Sequence, residues 1–274
     1  MDLDIVSASN YPVPDLVKFL NRGFEEYFVP IQFNTAAFLE MLSNDGIDLM
    51  TSRVLILDDQ PSGIALIARR GWTSRLAAMG VIKETRSRGA GSWFMGKLIN
   101  EARQRGDYEM VLEVIEQNEP AVKLYRKFGF ESLRRLIGLI YEGPQEIEKS
   151  DLHQIDLREM GRLVLQHGLP DLPWQLSGES IAQMNPPARA YCKGPAYLAI
   201  SDPEAERIVI WSLLVEQAAR GNGLGTDLLK SMIANHSGKT WYVPAIFPEE
   251  FRKVFERAGF EKEKLSQWQM KLSL

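Results

Sequence analysis

The pattern Arg-x-x-Gly-x-Gly occurs twice in this chain, as RSRGAG from Arg86 to Gly91 and as RGNGLG from Arg220 to Gly225. Each copy follows an apolar run (LAAMGVI, then IVIWSLLV) and precedes a segment with helical spacing. A second landmark repeats behind the first: KLYRKFGF from Lys123 to Phe130 and KVFERAGF from Lys253 to Phe260. Arg86 and Arg220 lie 134 residues apart, and Phe130 and Phe260 lie 130 apart. Two landmarks in one order at nearly one offset predict an internal duplication. At 274 residues, each half is long enough to bury a core of its own.

Physically, each motif reads as a strand, a glycine turn and a helix N-terminus, whose first N–H groups have no intrahelical partner. Gly89 and Gly91 allow positive φ and close approach of a ligand to the main chain, while Arg86 and Arg88 add permanent charge suited to phosphate oxygens. The arrangement predicts a cradle for an anion such as a diphosphate. The GxxxxGK[ST] of nucleotide hydrolases is absent, and so is GxGxxG after the first strand of a βαβ unit. Behind the first cradle, Met110, Val111, Leu112 and Val114 form a β-favouring run. Asn118 can cap a helix that has Pro120 early, Ala121, Leu124, Tyr125 and Phe128 on one face, and Gly129 at its end.

An R-x-x-G-x-G between strand and helix, followed by a second strand, an Asn-led loop and an L-Y-x-x-x-G-F helix, resembles the GNAT N-acetyltransferase superfamily. The resemblance implies an α/β (α+β) fold of two tandem domains, each a central mixed, mostly antiparallel sheet flanked by helices. It implies acetyl-CoA as cosubstrate, touched by Val81, Ile82, Arg86, Ser87, Arg88, Gly89, Ala90, Gly91, Ser92, Asn118 and Tyr125. Acetyl transfer to an amine needs a base for the amine proton and an acid for the departing thiolate. Tyr125 holds the position of the family's acid, and the surrounding pattern favours that role over the other reading, a core tyrosine on an amphipathic helix. Glu113, in LEV, matches the base of acetyltransferases resembling the ribosomal-protein alanine type, or is a solvated glutamate on an exposed strand face. Glu84 and Glu116 are fallback bases. Asn118 binds the pantetheine arm, caps its helix, or does both.

The second copy departs from this pattern. Aligned on Gly-Phe, Phe255 stands where Tyr125 does and Pro248 where Asn118 does, and TWYVPAI has no glutamate in the LEV place. A phenyl ring donates no proton. Arg220, Gly221, Asn222, Gly223, Leu224 and Gly225 therefore form a possible second coenzyme site in a half without the catalytic pair. The expected division is a catalytic domain over 1–143, a turn-rich linker from Gly143 to Asp151, and a degenerate domain over 151–274.

Leu3 to Val6 predict a first strand, Asp15 to Phe28 a helix, and Thr35 the N-cap of a second helix that ends at Asp45-Gly46. In the family, the loop between those helices borders the acceptor, so Tyr27, Phe28 and Phe33 are substrate candidates; packing a core is the other reading. RVLILDD and GIALIARR predict a hairpin turning at Gln60-Pro61-Ser62. LRRLIGLIYEG and KLSQWQMKL predict strands that close the two halves; the extra strand usual in the family after each Gly-Phe element is not evident, and exchange of strands between halves would account for that.

The net charge of −4 argues against nucleic acid as a partner. The N-terminus has no leader pattern and no stretch reaches membrane length, so the expectation is a cytoplasmic protein, without a membrane partner, acting as monomer or homodimer. A single cysteine, Cys192, precludes an intrachain disulfide, and His153, His167 and His236 lack metal spacing, so no metal is expected. The expected acceptor is an amine-bearing small molecule or a protein N-terminus. The alternatives to an acetyltransferase are a non-catalytic coenzyme A-binding or sensing protein and an acyltransferase using another acyl-CoA.

Overall fold

The computed structural model describes residues 2–29, 32–86, 88–143 and 151–274. The chain divides into two units, one of residues 1–133 with 269–274 and one of residues 134–268.

In the first unit the chain runs through β1 (Leu3–Ser7), α1 (Val13–Gly23), α2 (Thr35–Asp45), β2 (Arg53–Leu57), β3 (Gln60–Arg70), β4 (Thr73–Val81), α3 (Ala90–Gln104), β5 (Glu109–Ile115) and α4 (Glu119–Lys127). The strands follow one another in the sheet. β1, β2, β3 and β4 are antiparallel neighbours, and β5 lies parallel to β4. The hairpin turn falls at Asp58-Asp59, both at positive φ, which matches the right-handed strand twist; Gln60, Pro61 and Ser62 are already in β3. Asn34, rather than Thr35, caps α2 by accepting from the Ala37 N–H at 2.8 Å. Leu16, Val17 and Leu20 form the buried stripe of α1, which packs on β3 and β4. The helix comes so close at its C-terminus that a Cβ on Gly80 of β4 would meet the Gly23 backbone at 3.0 Å. Phe38, Phe94, Met95 and Leu66 are fully buried within this unit, where truncating such a phenylalanine to alanine costs about 3–5 kcal/mol.

Past α4 comes β6 (Glu131–Tyr141), whose residues from Arg134 belong to the second unit. Then follow β7 (His153–Ile155), α5 (Leu157–His167), α6 (Gly178–Gln183), β8 (Arg189–Lys193), β9 (Ala196–Ile200), β10 (Arg207–Val215), α7 (Leu224–Asn235), β11 (Thr240–Pro248), α8 (Arg252–Glu256) and β12 (Glu261–Ser273). This order of elements repeats that of the first half. β10 and β11 are parallel, as β4 and β5 are, and the strands of the unit run β12-β6-β11-β10-β9-β8-β7. Its core gathers Leu198, Ile208, Leu228, Met232, Trp241, Val243 and Phe255, all at most 1% exposed or close to it.

The units differ from the expected halves at two places. β6 follows the first Gly-Phe yet pairs antiparallel with β11, from Trp241 opposite Tyr141 to Pro248 opposite Leu136. The last six residues return to the first unit, where the Leu274 N–H donates to the Tyr108 carbonyl at 2.9 Å. Each half thus gives its final strand segment to the other's unit. Most of the expected linker, residues 144–150, lies outside the described residues.

Candidate functional site

β4 and β5 are paired only from Thr73 to Arg75 against Glu109 to Val111. Beyond that point they part, and the main chain of β4 facing β5 has no strand partner, leaving a wedge whose polar edge can bond an extended amide-bearing molecule. The chain leaves β4 through a short 3-10 turn, Lys83–Thr85, and enters α3 at Gly89, which has φ of 85° and no side-chain cap. A Cβ at Gly89 would meet nothing within 4 Å, so glycine is required there for its dihedral angles, not for space. The first-turn N–H groups of this 15-residue helix have no intrahelical partner and no cap from the Gly89 position, the disposition that a diphosphate needs.

The charges around the cradle differ from expectation. Arg86 does not offer its guanidinium to an anion. Its Nε donates to the Val81 carbonyl at 3.1 Å, and Nη2 donates to the carbonyls of Gly23 at 3.0 Å and Glu25 at 3.2 Å, tying the loop to the end of α1. Arg88 is exposed, Ala90 is buried and Ser87 lies outside the described residues. Lys127, a cation not anticipated from the sequence, donates to Ser92 Oγ at 3.1 Å from α4. Its signal was the second lysine of KLYRKF. Val81 and Ile82 are half-buried, and the Ile82 N–H is engaged by Ser62 at 2.9 Å. Gly91 sits in the first turn with only Met79 near its missing Cβ, at 3.9 Å.

Tyr125 is 8% exposed and packs edge-on to Phe130 at 5.7 Å between centroids. Burial, and after it the neighbouring Tyr27, push its phenol well above the ordinary value, so it keeps its proton. Burial likewise raises Tyr27, against a hydrogen bond with Asn118 that lowers it. Asn118 also caps α4, accepting from the Ala121 N–H at 3.3 Å. The fold thus brings Tyr27 to Asn118 and Tyr125, joining two separate stretches of sequence. Phe28 stays 54% exposed beside Tyr27, and the main chain of Phe33 is clasped by both amide atoms of Asn21 at 2.9 Å each.

Glu113 is neither solvated nor alone. Its side chain is 4% exposed and its Oε2 accepts from Arg75 Nε at 2.9 Å, while Arg75 Nη1 reaches Asp45 at 2.8 Å. Burial pulls the guanidinium down, and the two carboxylates more than offset it, so Arg75 stays charged. Glu113 Oε1 is buried without a partner. Arg75 escaped sequence reasoning because it is 38 residues from Glu113, inside an otherwise β-favouring run. Glu84 is exposed and Glu116 half-buried.

The second unit rebuilds the cradle. β10 and β11 pair only over Arg207 to Val209 against Thr240 to Tyr242; Gly221 and Gly223 have φ of 85° and 78°, and α7 again begins without a side-chain cap. Arg220 Nε donates to the Val215 carbonyl at 3.0 Å and its Nη2 donates to the His167 carbonyl at the end of α5. Asn222 donates to the Ala219 carbonyl at 3.2 Å. A cavity of about 260 Å³ opens here, lined by the cradle residues including Leu224 and Gly225 and by Pro248 and Phe255. Phe255 is fully buried between Phe247 and Phe260, each at 5.5 Å.

Among the described residues no acidic, histidine or cysteine cluster suits a metal ion, and no helix is long and apolar enough to cross a membrane. Residues 15–130 match the profile of the Acetyltransferase (GNAT) family. The fold resembles that of a putative acetyltransferase from Pyrococcus horikoshii, with a TM-score of 0.68 at 14% identity over 99% of this chain and 89% of that one. A GCN5-related N-acetyltransferase from Sphaerobacter thermophilus aligns with a TM-score of 0.67 at 13% identity over 99% and 95%. A tandem GNAT protein from the clavulanic acid biosynthesis pathway aligns with a TM-score of 0.65 at 14% identity over 99% and 98%. The comparison with curated proteins yields no match.

Proposed function

We propose, because residues 15–130 match the profile of the Acetyltransferase (GNAT) family, that the protein is an acetyl-CoA-dependent N-acetyltransferase working through its first unit. The proposed acceptor is a primary amine, borne by a small molecule or a protein N-terminus. The observation that carries this reading is the uncapped N-terminus of α3 at the mouth of the wedge between β4 and β5, with the buried phenol of Tyr125 on the helix that follows β5.

Bound there, the coenzyme supplies the acetyl thioester. The first-turn N–H groups of Gly91 and Ser92 hold its diphosphate, with Arg88 and Lys127 as flanking cations. Unpaired main-chain groups of β4 beyond Arg75 bond the amides of the pantetheine arm, and Asn118 closes the wedge from the start of α4. Tyr125, protonated through the neutral range, gives its proton to the departing sulfur, whose thiol has an ordinary pKa of about 8.5. Glu113 takes the amine proton, directly or through a water, while Arg75 holds Oε2 and fixes the carboxylate. Tyr27 and Phe28 flank the acceptor, and Phe33 shapes their loop.

The test is Tyr125→Phe, which gives unit 1 the ring that unit 2 has. The expected result is a fall in kcat of about 10²–10⁴ with acetyl-CoA affinity retained in calorimetry. Unchanged turnover would remove Tyr125 from the mechanism. Coenzyme binding by the native protein without turnover across a broad panel of amines would favour a binding or sensing protein.

A further inference from the structure

The second cradle opens into a cavity that the acetyltransferase reading leaves without a role. Along with Arg220, Gly221, Gly223, Leu224 and Gly225, it is lined by Leu169, Leu172, Trp211, Leu213, Phe247 and Phe251. Its volume of about 260 Å³ exceeds the roughly 150 Å³ of an apolar cavity that takes up benzene. Among the described residues, Arg220 and Arg257 are its only charged lining residues, and no carboxylate, histidine, lysine, cysteine or tyrosine borders it. Both polar and apolar demands of a ligand are thereby specified. The uncapped start of α7 takes an anion, the edge of β10 past Val209 takes amides, and the carbon-lined space takes an aliphatic chain.

We infer that the second unit binds an acyl-CoA whose acyl chain is longer than acetyl, and holds it without passing the acyl group on. An anionic head and an aliphatic tail would also describe a fatty acid. The thioester is favoured because this cradle repeats the first one: glycine N-caps at φ of 78° and 85°, and arginines bonded to the equivalent strand-end and helix-end carbonyls. That choice of head group rests on the coenzyme reading of unit 1. Retention without transfer follows from the lining, which offers neither a proton donor at Phe255 nor a base.

The test is calorimetry of the full chain with acetyl-CoA, octanoyl-CoA and octanoate, using Gly89→Trp to close the first cradle. One octanoyl-CoA site per chain should remain, at least about tenfold tighter than acetyl-CoA because each added methylene is buried. Leu172→Trp, filling the cavity, should weaken that site at least about tenfold, whereas Leu172→Ala, enlarging it, should shift preference to longer chains. Circular dichroism reports whether each variant folds, and the Ala variant keeps the test decisive if the Trp variant does not. The inference falls if Gly89→Trp binds no acyl-CoA, if acetyl and octanoyl thioesters bind it alike, if octanoate binds as tightly as octanoyl-CoA, or if Gly89→Trp still releases thiol from octanoyl-CoA in the presence of amines. Undiminished acetyl-CoA binding by Gly89→Trp would instead overturn the coenzyme reading of unit 1, independently of the chain-length result.

Discussion

Arg86 and Arg220 do the same work 134 residues apart: each ties the loop after its strand to carbonyls at the strand's end and at the end of its unit's first helix. The two units diverge behind that shared cradle. Arg75 lies opposite Val111 in the first parallel pair, as Val209 lies opposite Tyr242 in the second. Two residues on, Pro244 therefore stands where Glu113 does. The ion pair of unit 1 has no trace of either partner in unit 2, as buried charge requires, since losing one partner alone strands the other. Downstream, Asn118 caps a nine-residue α4 that carries Tyr125, whereas Pro248 leads through a 3-10 turn into a five-residue α8 that carries Phe255. The two units share the part made of backbone geometry and differ in the part made of side-chain chemistry.

The largest way to break this comparison is Arg75→Leu, which leaves Glu113 and Asp45 without their shared cation. It should cost about 3–5 kcal/mol of stability in a urea titration. Adding Glu113→Leu, which moves this place toward the apolar composition of unit 2, should recover a substantial part. Equal losses in the single and double variants would show that pairing is not what separates the two units here.

Asn118→Ala removes the cap of α4 and the partner of Tyr27, an effect of about 1 kcal/mol on stability. Pro248→Ala, its counterpart, removes no hydrogen-bonded cap and should change the urea midpoint less. A larger loss at Pro248 would contradict the assignment of a side-chain cap to α4 and none to its counterpart.

If the arginine ties are equivalent, Arg86→Ala and Arg220→Ala should each cost about 0.5–1 kcal/mol, the modest figure expected for bonds at least partly reached by solvent. A loss at one site only would show that the shared geometry hides unequal energetics.

The smallest effect appears only in alkali. Below about pH 10 Tyr125 carries its proton both folded and unfolded, so its contribution to stability is fully present and constant. Above that, the unfolded phenol loses its proton while the raised folded one keeps it, and stability falls as pH rises. Tyr125→Phe should flatten that part of the decline, with Tyr27 contributing in the same direction. An unaltered alkaline limb would mean that Tyr125 is less buried than described.

The sequence by itself determined what depends on neighbouring residues. Repeated glycine turns, the apolar runs before them, the Gly-Phe landmarks and the capping role of Asn118 were all legible, because dihedral preference and periodicity act over a few residues. Even so, the hairpin turn moved to Asp58-Asp59 and the α2 cap to Asn34, since adjacent polar residues compete for the same local roles. Tertiary structure alone decided which distant groups meet. It gave Glu113 the guanidinium of Arg75, turned Arg86 from an expected anion ligand into a tie on Gly23, and set Tyr27 beside Tyr125. It also exchanged the terminal strand segments, placing Arg134 to Tyr141 in the second unit and Gln269 to Leu274 in the first. The physical reason is that a strand's backbone can bond any free sheet edge, so its sequence fixes extended conformation and face, while its partner is fixed only when the whole chain has folded.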